Sequence, residues 1–563
     1  MINFSSNNIS VTRRSGVYQP YQAPASAKKD DVSKTTPPVY TKPVYSSNLS
    51  YMISKINTNY TPQPKYESSP IQADGSVKLK IGYINDLHGQ YIKLEKIADG
   101  LQDCDIRFSG GDNMIGDDRN VNVNKCICKY LDGENIEASA LGNHDVDMSE
   151  KNFSELTKDL NMKFMAANFN QAEESKTNSK IENGAYIHDR LTDSYVGEYK
   201  GVKYGVIGVA PCDMRTRMTH PDFYDDFTID DLPETIKEIQ EEADKLREEQ
   251  GIKHIFLLSH VGHFSDRVIA ENTSGIDVII GGHSHTFVDG IRPGENLFLS
   301  KDKEPVLITN AEKDGNYFGK TELHFDKDGV LIDASNKLYE TSSRHKNLIY
   351  KKMFDDIMGQ PDKLGVIRNV IPAPKQRLSE ESAHANFVAD AIRYEMGVDI
   401  GIVNAGNIRN VFEPGVIDTS DTKAISPFGD GMVICPISEK DLVEGIKEGC
   451  KSVTDKNGKP GLIYASGLNY TIKKETGELL DMTYIDRDGK ETKIDVKNPD
   501  PNKIYRIAGD DFVLSGGDAI PSLNQLAHAE QKFDFSEDKL ISDYIKHHNG
   551  PVDIDQVGRI KIV

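Results

Sequence analysis

Tryptophan is absent from this chain of 563 residues, and cysteine occurs only six times. Six scattered cysteines cannot build the dense disulfide framework that stabilises many small secreted domains. Long apolar runs are missing too, since no stretch approaches the roughly 18–20 residues that a membrane-spanning helix needs. Positive charge is in the minority, with 67 Lys and Arg against 88 Asp and Glu and a net charge of −21. Without a dense basic patch, we expect neither a nucleic acid polymer nor an anionic membrane as a partner.

Composition and patterning divide the chain into four predicted parts. Residues 1–76 are rich in Ser, Thr, Pro, Asn and Tyr without a regular apolar period, which predicts a disordered leader. The first residues carry no recognisable export signal, so the sequence leaves localisation open. Over residues 77–343, short apolar runs alternate with helical patterns, which predicts a layered α/β domain with functional groups at the carboxyl ends of its strands. A charged linker helix over 344–365 leads to a second α/β or α+β domain over 366–563.

Five apolar runs of the first predicted domain end in residues that bind metals. They are followed by Asp86 and His88, by Asp112, by Asn143 and His144, by His260, and by His283 and His285. At the end of an extended segment, residues two apart point to the same side, so Asp86 and His88 can converge on one ion. A single His or Asp at a strand end is usually a turn residue. Because five such ends occur in order, we predict a shared metal site.

The candidate ligands are too many for one metal ion and suit two. We expect Asp86, His88 and His285 around one ion, Asn143, His260 and His283 around the other, and Asp112 as the bridge between them. Nitrogen and oxygen ligands without thiolate suit Zn²⁺, Mn²⁺ or iron, and the sequence does not choose among these metals. Two such ions about 3.5–4 Å apart can clamp a phosphoryl group and generate a hydroxide nucleophile near neutral pH.

His144 is assigned a different role from its neighbours. We expect it to act on the phosphoryl oxygen or the leaving group, as an electrostatic stabiliser or a general acid. Asp147, three residues later in the segment GNHDVD, has two open interpretations. It either accepts the other N–H of His144 and fixes its tautomer, or it is an ordinary helix N-cap.

The order D-x-H, G-D, G-N-H-D-x-D, S-H and G-H-S-H resembles the calcineurin-like metallophosphoesterases, and the added second domain resembles the 5′-nucleotidase family. The resemblance covers about residues 78–563. It implies a four-layered α/β/β/α metallophosphatase domain, a smaller substrate-binding domain and an active site between the two. It also implies a pair of divalent metal ions and a small nucleotide substrate.

Three segments of the second domain resemble the family independently. They are NAGNIR from Asn404 to Arg409, PFG around Phe428, and the segment DFVLSGGD from Asp511 to Asp518. The resemblance implies substrate contacts from Asn404, Gly406 and Arg409, base stacking between Phe428 and Phe512, and ribose hydroxyls held by Asp518. Arg377 is a candidate for a further phosphate-binding arginine. Two aromatic faces can stack a base without demanding its identity.

The resemblance implies hydrolysis of nucleoside 5′-monophosphates or related nucleotides, and several rival functions stay open. Asp145 stands where the family often has Glu, and Ala385 where it usually has Gly. His285 stands where some nucleotidases carry Gln or Asn, which leans toward a 2′,3′-cyclic-nucleotide phosphodiesterase/3′-nucleotidase. The sequence is also compatible with a UDP-sugar hydrolase, a thiosulfohydrolase and an inactive binding scaffold. Most family members are exported, and the oligomeric state is left open.

Overall fold

The computed structural model of the chain describes residues 69–171, 190–214, 227–342, 344–455 and 461–563. Most of the predicted leader, residues 1–68, lies outside the described residues. The last residues before the first strand form a turn in which Ile71 bridges to Val77.

The first domain is built from two sheets with helices outside them. Its described strands are β1 (Val77–Ile84), β2 (Ile106–Ser109), β3 (Ala138–Ala140), β4 (Lys163–Met165), β5 (Phe169–Gln171), β6 (Leu191–Thr192), β7 (Ser194–Tyr199), β8 (Val202–Val209), β9 (Phe227–Ile229), β10 (His254–Ser259), β11 (Val278–Gly281), β12 (Leu297–Leu299), β13 (Pro305–Thr309), β14 (Tyr317–Phe325) and β15 (Leu331–Glu340). Its described helices are α1 (Tyr91–Ile97), α2 (Val121–Gly133), α3 (Glu150–Thr157), α4 (Leu232–Asp244) and α5 (His263–Asn272).

The two sheets pack face to face and form the middle of the domain. One has the strand order β15-β14-β1-β2-β3-β4-β6 and the other β12-β13-β11-β10-β8-β7. Aromatic side chains from both sheets fill the space between them, and the Phe108 and Phe256 rings lie 6.0 Å apart. Helices α1, α2 and α3 cover the outer face of the first sheet, and α4 and α5 cover the second. This arrangement confirms the expected α/β/β/α layers.

Helix α4 shows how the sequence produces one of these outer layers. The Asp231 side chain caps the helix by accepting the backbone N–H of Glu234, and proline follows at the start, where its missing N–H costs nothing. Ile239 and Ala243, four residues apart, are buried against the sheet. Within the described residues, no helix is long and apolar enough to cross a membrane.

The second domain mixes helices with three smaller sheets. Its described strands are β16 (Lys363–Val370), β17 (Ile400–Asn404), β18 (Gly415–Asp418), β19 (Met432–Ser438), β20 (Ile463–Ser466), β21 (Leu468–Lys473), β22 (Glu478–Ile485), β23 (Glu491–Ile494), β24 (Ile504–Asp510), β25 (Gln531–Phe533), β26 (Val552–Ile554) and β27 (Ile560–Ile562). The remaining described helices are α6 (Leu348–Met358), α7 (Ala383–Met396), α8 (Thr419–Ile425), α9 (Glu439–Cys450) and α10 (Glu537–His547).

The sheet β20-β17-β24-β19-β25 carries the core of this second domain. Helix α7 packs on it through buried residues that include Phe387, Val388 and Ile392. Between the domains, α6 lies against the first domain, where Tyr350 and Phe354 join the core beneath the outer helices. The segment between the domains is therefore attached to the first domain.

Candidate metal and substrate site

The seven predicted metal ligands all follow parallel strands, and the structure brings strand ends of both sheets together. The first sheet contributes residues after β1, β2 and β3, and the second sheet contributes residues after β10 and β11. Contacts between the sheets include Asp86 Oδ1 to His260 Nε2 at 3.8 Å and to His285 Nε2 at 3.4 Å. The edge where the two sheets meet therefore forms one polar site.

The backbone at this site is left-handed rather than extended. Five of the seven candidate ligands have positive φ, namely Asp86 at 50°, His88 at 47°, Asp112 at 53°, His283 at 68° and His285 at 53°. The expected convergence of residues two apart is therefore produced by a tight turn beyond the strand, and the extended-segment reasoning was wrong. Such conformations cost non-glycine residues about 1–3 kcal/mol each and concentrate at functional sites.

One group of potential ligand atoms joins Asp86, His88 and His285. Their ligand atoms lie within 4.8 Å of one another. Asp86 and His88 are fully buried, and the His285 side chain is 32% exposed. This is the set expected around the first ion.

A second group joins Asp112, His260 and His283. His260 Nε2 lies 3.1 Å from Asp112 Oδ2, and His88 Nε2 lies 3.5 Å from the same oxygen. Asp112 therefore faces members of both groups, as a bridging ligand would. Asn143 is buried beside them, and the following amide, of His144, donates to Asp112 Oδ1 at 2.8 Å.

The donor atoms of this site fit divalent cations. Among the described residues, His88 Nε2, His260 Nε2 and Asn143 Oδ1 are buried without a hydrogen-bond partner. Buried polar atoms are almost always paired, so three orphaned atoms that point into one acidic cluster require an explanation. A cation bound among them would satisfy all three atoms and the charge of Asp86 and Asp112.

The electrostatics of the protein alone lead to the same conclusion. Burial acts to raise the pKa of Asp112, but the charges of His260 and His144 outweigh burial and hold this pKa well below its usual range. Burial acts to lower the pKa of His260, but Asp112 and Asp86 outweigh it and raise the pKa to about 10. The cluster binds positive charge strongly, and protons and metal ions compete for it.

Groups around the ligands fix their orientation, and sequence reasoning missed the most informative one. Asp314, after β13, lies 2.9 Å from His88 Nδ1, so His88 presents Nε2 to the site. His260 Nδ1 similarly contacts the carbonyl of Gly110 at 2.6 Å. Asp314 lies in the segment NAEKDG, which follows the apolar run PVLIT. A search for polar residues after each apolar run could therefore have found it.

Asp145 holds the loops that carry two of the ligands. Its carboxylate accepts the backbone N–H groups of Asp112, Asn113, Met114 and Gly142 at 2.9–3.1 Å. A Cβ atom at Gly142 would come within 2.1 Å of Asp112 Oδ1, so only glycine permits this approach.

His144 stands beside the ligands with Asp147 behind it. His144 Nδ1 lies 2.6 Å from Asp147 Oδ2, which leaves Nε2 available to a substrate. The N-cap of helix α3 is Ser149, whose side chain accepts the N–H of Asn152. The alternative interpretation of Asp147 as that helix cap was therefore wrong.

The predicted substrate residues gather in the second domain. Asn404 Nδ2 donates to Asp518 Oδ2 at 3.0 Å, and Gly406 lies between them, where a Cβ would sit 3.0 Å from Asn404 Nδ2. Arg377 donates to the carbonyls of Gly406 and Ile408. Asn404, Gly406, Asp518 and Arg377 therefore form one polar group.

Phe428 connects this group to the metal cluster. Its ring centroid lies 6.3 Å from that of His144, and the Arg409 guanidinium lies 4.9 Å from its centre. Phe512 lies on the loop after β24. Arg119 of the first domain joins this loop to the Phe428 loop, through ion pairs with Asp511 at 3.1 Å and Asp430 at 3.4 Å. Both predicted base-stacking residues are thus at the junction of the domains.

Three cations meet at this junction. Lys313 Nζ lies 3.3 Å from Asp314 Oδ2. Burial and the charges of Arg377 and Arg409 lower the pKa of Lys313 to about 8, although Asp314 opposes them. Burial and the Arg409 charge likewise lower the pKa of Arg377 to about 10. Three mutually repelling cations beside a metal cluster favour a bound anion. Lys313, which no motif singled out, is a second residue that sequence reasoning missed.

Comparison with known families and proteins agrees with this geometry. Residues 79–287 match the calcineurin-like phosphoesterases, and residues 363–525 match the 5′-nucleotidase C-terminal domain. The chain is 26% identical over 334 residues to the trifunctional nucleotide phosphoesterase protein YfkN of Bacillus subtilis, covering 56% of this chain but only 22% of that protein. It is 23% identical over 455 residues to the probable 5′-nucleotidase of Treponema pallidum, covering 69% of this chain and 73% of that protein.

Solved structures share the fold over most of the chain. A 5′-nucleotidase precursor from Thermus thermophilus superposes with a TM-score of 0.67 and 19% identity, covering 86% of this chain and 99% of that chain. The sulfate thiohydrolase SoxB from Thermus thermophilus superposes with a TM-score of 0.62 and 14% identity, covering 89% of this chain and 98% of that chain. At these identities the likeness establishes the two-domain fold.

Asp314→Asn tests whether the carboxylate behind His88 supports metal binding. Asn tolerates the left-handed backbone at this position, where φ is 52°, so the substitution removes mainly the charge. We expect the affinity for Mn²⁺ or Zn²⁺ to fall about 10–100-fold, as for other residues that orient metal ligands. Isothermal titration calorimetry on the metal-stripped protein measures this.

The matched control for that substitution is Asp328→Asn, which alters an exposed carboxylate paired with Lys327. It should leave metal affinity unchanged. Wild-type affinity in Asp314→Asn would contradict the role given to Asp314.

Proposed function

Given that this chain belongs to the 5′-nucleotidase family and joins a calcineurin-like phosphoesterase domain to a 5′-nucleotidase C-terminal domain, we propose that it hydrolyses nucleoside 5′-monophosphates. The enzyme is a metal-dependent phosphoester hydrolase. One observation carries the choice of substrate. The Phe428 ring lies 6.3 Å from the ring of His144, beside the ligand cluster, and 4.9 Å from the Arg409 guanidinium, so a phosphoryl group bound at the cluster would have a cation and an aromatic ring of the second domain next to it.

We assign the divalent ions to two positions, one at Asp86, His88 and His285 and one at Asn143, His260 and His283, with Asp112 shared. Bound there, they supply Lewis-acid polarisation of the phosphoryl oxygens and activation of water. The protein supplies the groups that orient the ligand side chains. Asp314 and the Gly110 carbonyl orient His88 and His260, and these contacts keep the ligand nitrogens directed into the site.

His144 is the proposed catalytic residue of the protein itself. Asp147 accepts a hydrogen bond from the Nδ1–H of His144 and thereby fixes the ring, so Nε2 faces the phosphoryl group. In the imidazolium form His144 carries a second proton on Nε2. This proton passes to the departing ester oxygen, which leaves as a hydroxyl while neutral imidazole remains, or it stays on Nε2 and its hydrogen bond stabilises the developing negative charge on oxygen. The loop that carries Phe428 packs against this ring and closes one side of the site.

The nucleoside is proposed to bind the second domain. Arg409 and Arg377 attract the phosphate, Asp518 accepts ribose hydroxyls with Asn404 beside it, and Phe428 and Phe512 provide faces for the base. One face of Phe428 is already covered by Arg409. We therefore place more of the stacking on Phe512.

A 2′,3′-cyclic-nucleotide phosphodiesterase is the second candidate function. The observation that favours it is His285, which adds a fourth imidazole to the site and lies 3.4 Å from Asp86. One similar protein is named as a trifunctional nucleotide phosphoesterase, a name that is compatible with this second candidate. A panel of 5′-, 3′- and 2′,3′-cyclic nucleotides with UDP-glucose, assayed with Mn²⁺ or Zn²⁺, separates the candidates. We expect the highest kcat/KM for 5′-monophosphates. If no nucleotide is hydrolysed while bis-p-nitrophenyl phosphate is, the proposal is wrong.

His144→Ala should separate catalysis from metal binding. We expect kcat to fall about 10²–10³-fold, the usual contribution of a general acid. Elemental analysis should find the same metal content as in the wild type. His345→Ala, at an exposed site, is the control. Loss of metal from the His144 variant would refute its assignment as a non-ligand.

Phe512→Ala should weaken recognition of the base. Removing one stacking surface costs about 1–3 kcal/mol, so we expect KM for AMP to rise by about tenfold or more. Hydrolysis of bis-p-nitrophenyl phosphate, which has no base, should be spared. Equal losses on both substrates would argue against stacking and for a general change of the loop.

A further inference from the structure

A buried hydrogen-bond network lies beneath the substrate loops of the second domain. Glu537, the first residue of α10, accepts hydrogen bonds at Oε2 from Ser426 Oγ and from Asn407 Nδ2, each at 2.7 Å. Asn407 Nδ2 also donates to Asp510 Oδ2 at 3.2 Å. All four side chains are buried, with Glu537 only 1% exposed.

Each of the other three members stands two residues before a predicted substrate residue. Asn407 precedes Arg409, Ser426 precedes Phe428, and Asp510 precedes Phe512. The three segments are far apart in sequence, and Glu537 is the group that joins two of them directly and the third through Asn407. Ser426 Oγ also lies 3.4 Å from Asn407 Oδ1, so Glu537 links the three segments together with direct bonds among the other members.

The chemistry of the network indicates a neutral carboxyl at Glu537. Burial and the neighbouring charge of Asp510 raise the pKa of Glu537 well above its usual range. Burial raises the pKa of Asp510 only to about 6, and its Oδ1 accepts the N–H of Val513 at 2.6 Å. Within the part of the chain that the structure describes, Glu537 Oε1 is buried and accepts no hydrogen bond, and a proton on this oxygen would be donated to the neighbouring Asp510 carboxylate.

We propose that Glu537 is a positioning residue that sets the spacing of Arg409, Phe428 and Phe512 and thereby the fit of the nucleoside. This inference rests on the proposed function, because it assumes that these three residues contact a nucleotide. Glu537 lies outside the matched 5′-nucleotidase C-terminal region, residues 363–525. Removing its carboxyl takes away the acceptor that Ser426 and Asn407 share at 2.7 Å. Only the longer contacts remain, Ser426 to Asn407 at 3.4 Å and Asn407 to Asp510 at 3.2 Å, so we expect the segments to shift.

The test measures nucleoside recognition apart from catalysis. Adenosine binding by calorimetry and steady-state kinetics with AMP and bis-p-nitrophenyl phosphate are compared in the metal-loaded, full-length protein. Glu537→Ala should weaken adenosine binding and raise KM for AMP about tenfold, with kcat/KM for bis-p-nitrophenyl phosphate within about twofold of wild type. Unchanged adenosine binding, or equal losses on both substrates, overturns the proposal.

The conservative variant distinguishes positioning from a general structural role. In Glu537→Gln the amide oxygen accepts from Ser426 and Asn407 and the amide nitrogen donates to Asp510, so binding should stay within about twofold of wild type. A Gln variant as impaired as Ala overturns the neutral-carboxyl role. Asp543→Asn, which alters an ion pair on the same helix, is the matched control and should change nothing.

Two further comparisons keep the outcome decisive. If circular dichroism shows that Glu537→Ala does not fold, Ser426→Ala removes one hydroxyl, with its contacts to Glu537 and Asn407, and should weaken adenosine binding about threefold. No change in binding overturns the proposal. A wild-type protein that neither binds adenosine nor hydrolyses AMP overturns the proposed function, and the role of Glu537 with it. Normal wild-type binding with an unaffected Glu537→Ala overturns that role alone.

Discussion

The concentration of buried ligand atoms where two sheets meet is the constraint on which the rest of the first domain depends. Asp86, Asp112 and His260 are almost completely buried, and three of the surrounding polar atoms have no hydrogen-bond partner among the described residues. Such a cluster is stable only when positive charge enters it. The left-handed turns and the close approach at Gly142 are the structural means by which strand ends from both sheets reach one point.

The second domain completes this site because it contacts the first domain next to the catalytic cluster. Asn120 of the first domain donates to the Pro427 carbonyl at 2.6 Å, directly before Phe428, and Arg119 pairs with both substrate loops. In the proposed function, phosphate chemistry and nucleoside recognition are carried by separate domains that meet at these loops. The proposed role of Glu537 follows the same logic, since a group remote from the substrate fixes the loops that reach it.

The sequence predicted the metal-site residues better than their local conformation. Strand ends were recognisable because each apolar run stops at a polar or glycine residue. The alternation of strands and helices predicted a layered α/β domain, and the family resemblance implied its four layers. The left-handed turns were not predictable, since the pattern of apolar residues ends where the turn begins. Lys313 was missed because it matches no motif, and its neighbours Arg377 and Arg409 come from the other domain.

The sequence alone determined which strand ends carry ligand side chains, because apolar periodicity and the residues that follow it are local properties. Only the tertiary structure brought these side chains close to one another and decided which nitrogen His88 and His260 present to the site and which group supports each ring. His88 and Asp314 touch although 226 positions separate them, and Asn407 and Glu537 although 130 do. Contacts between residues so far apart in sequence arise when sheets and helices pack together, and the local sequence pattern does not show which of them will pack.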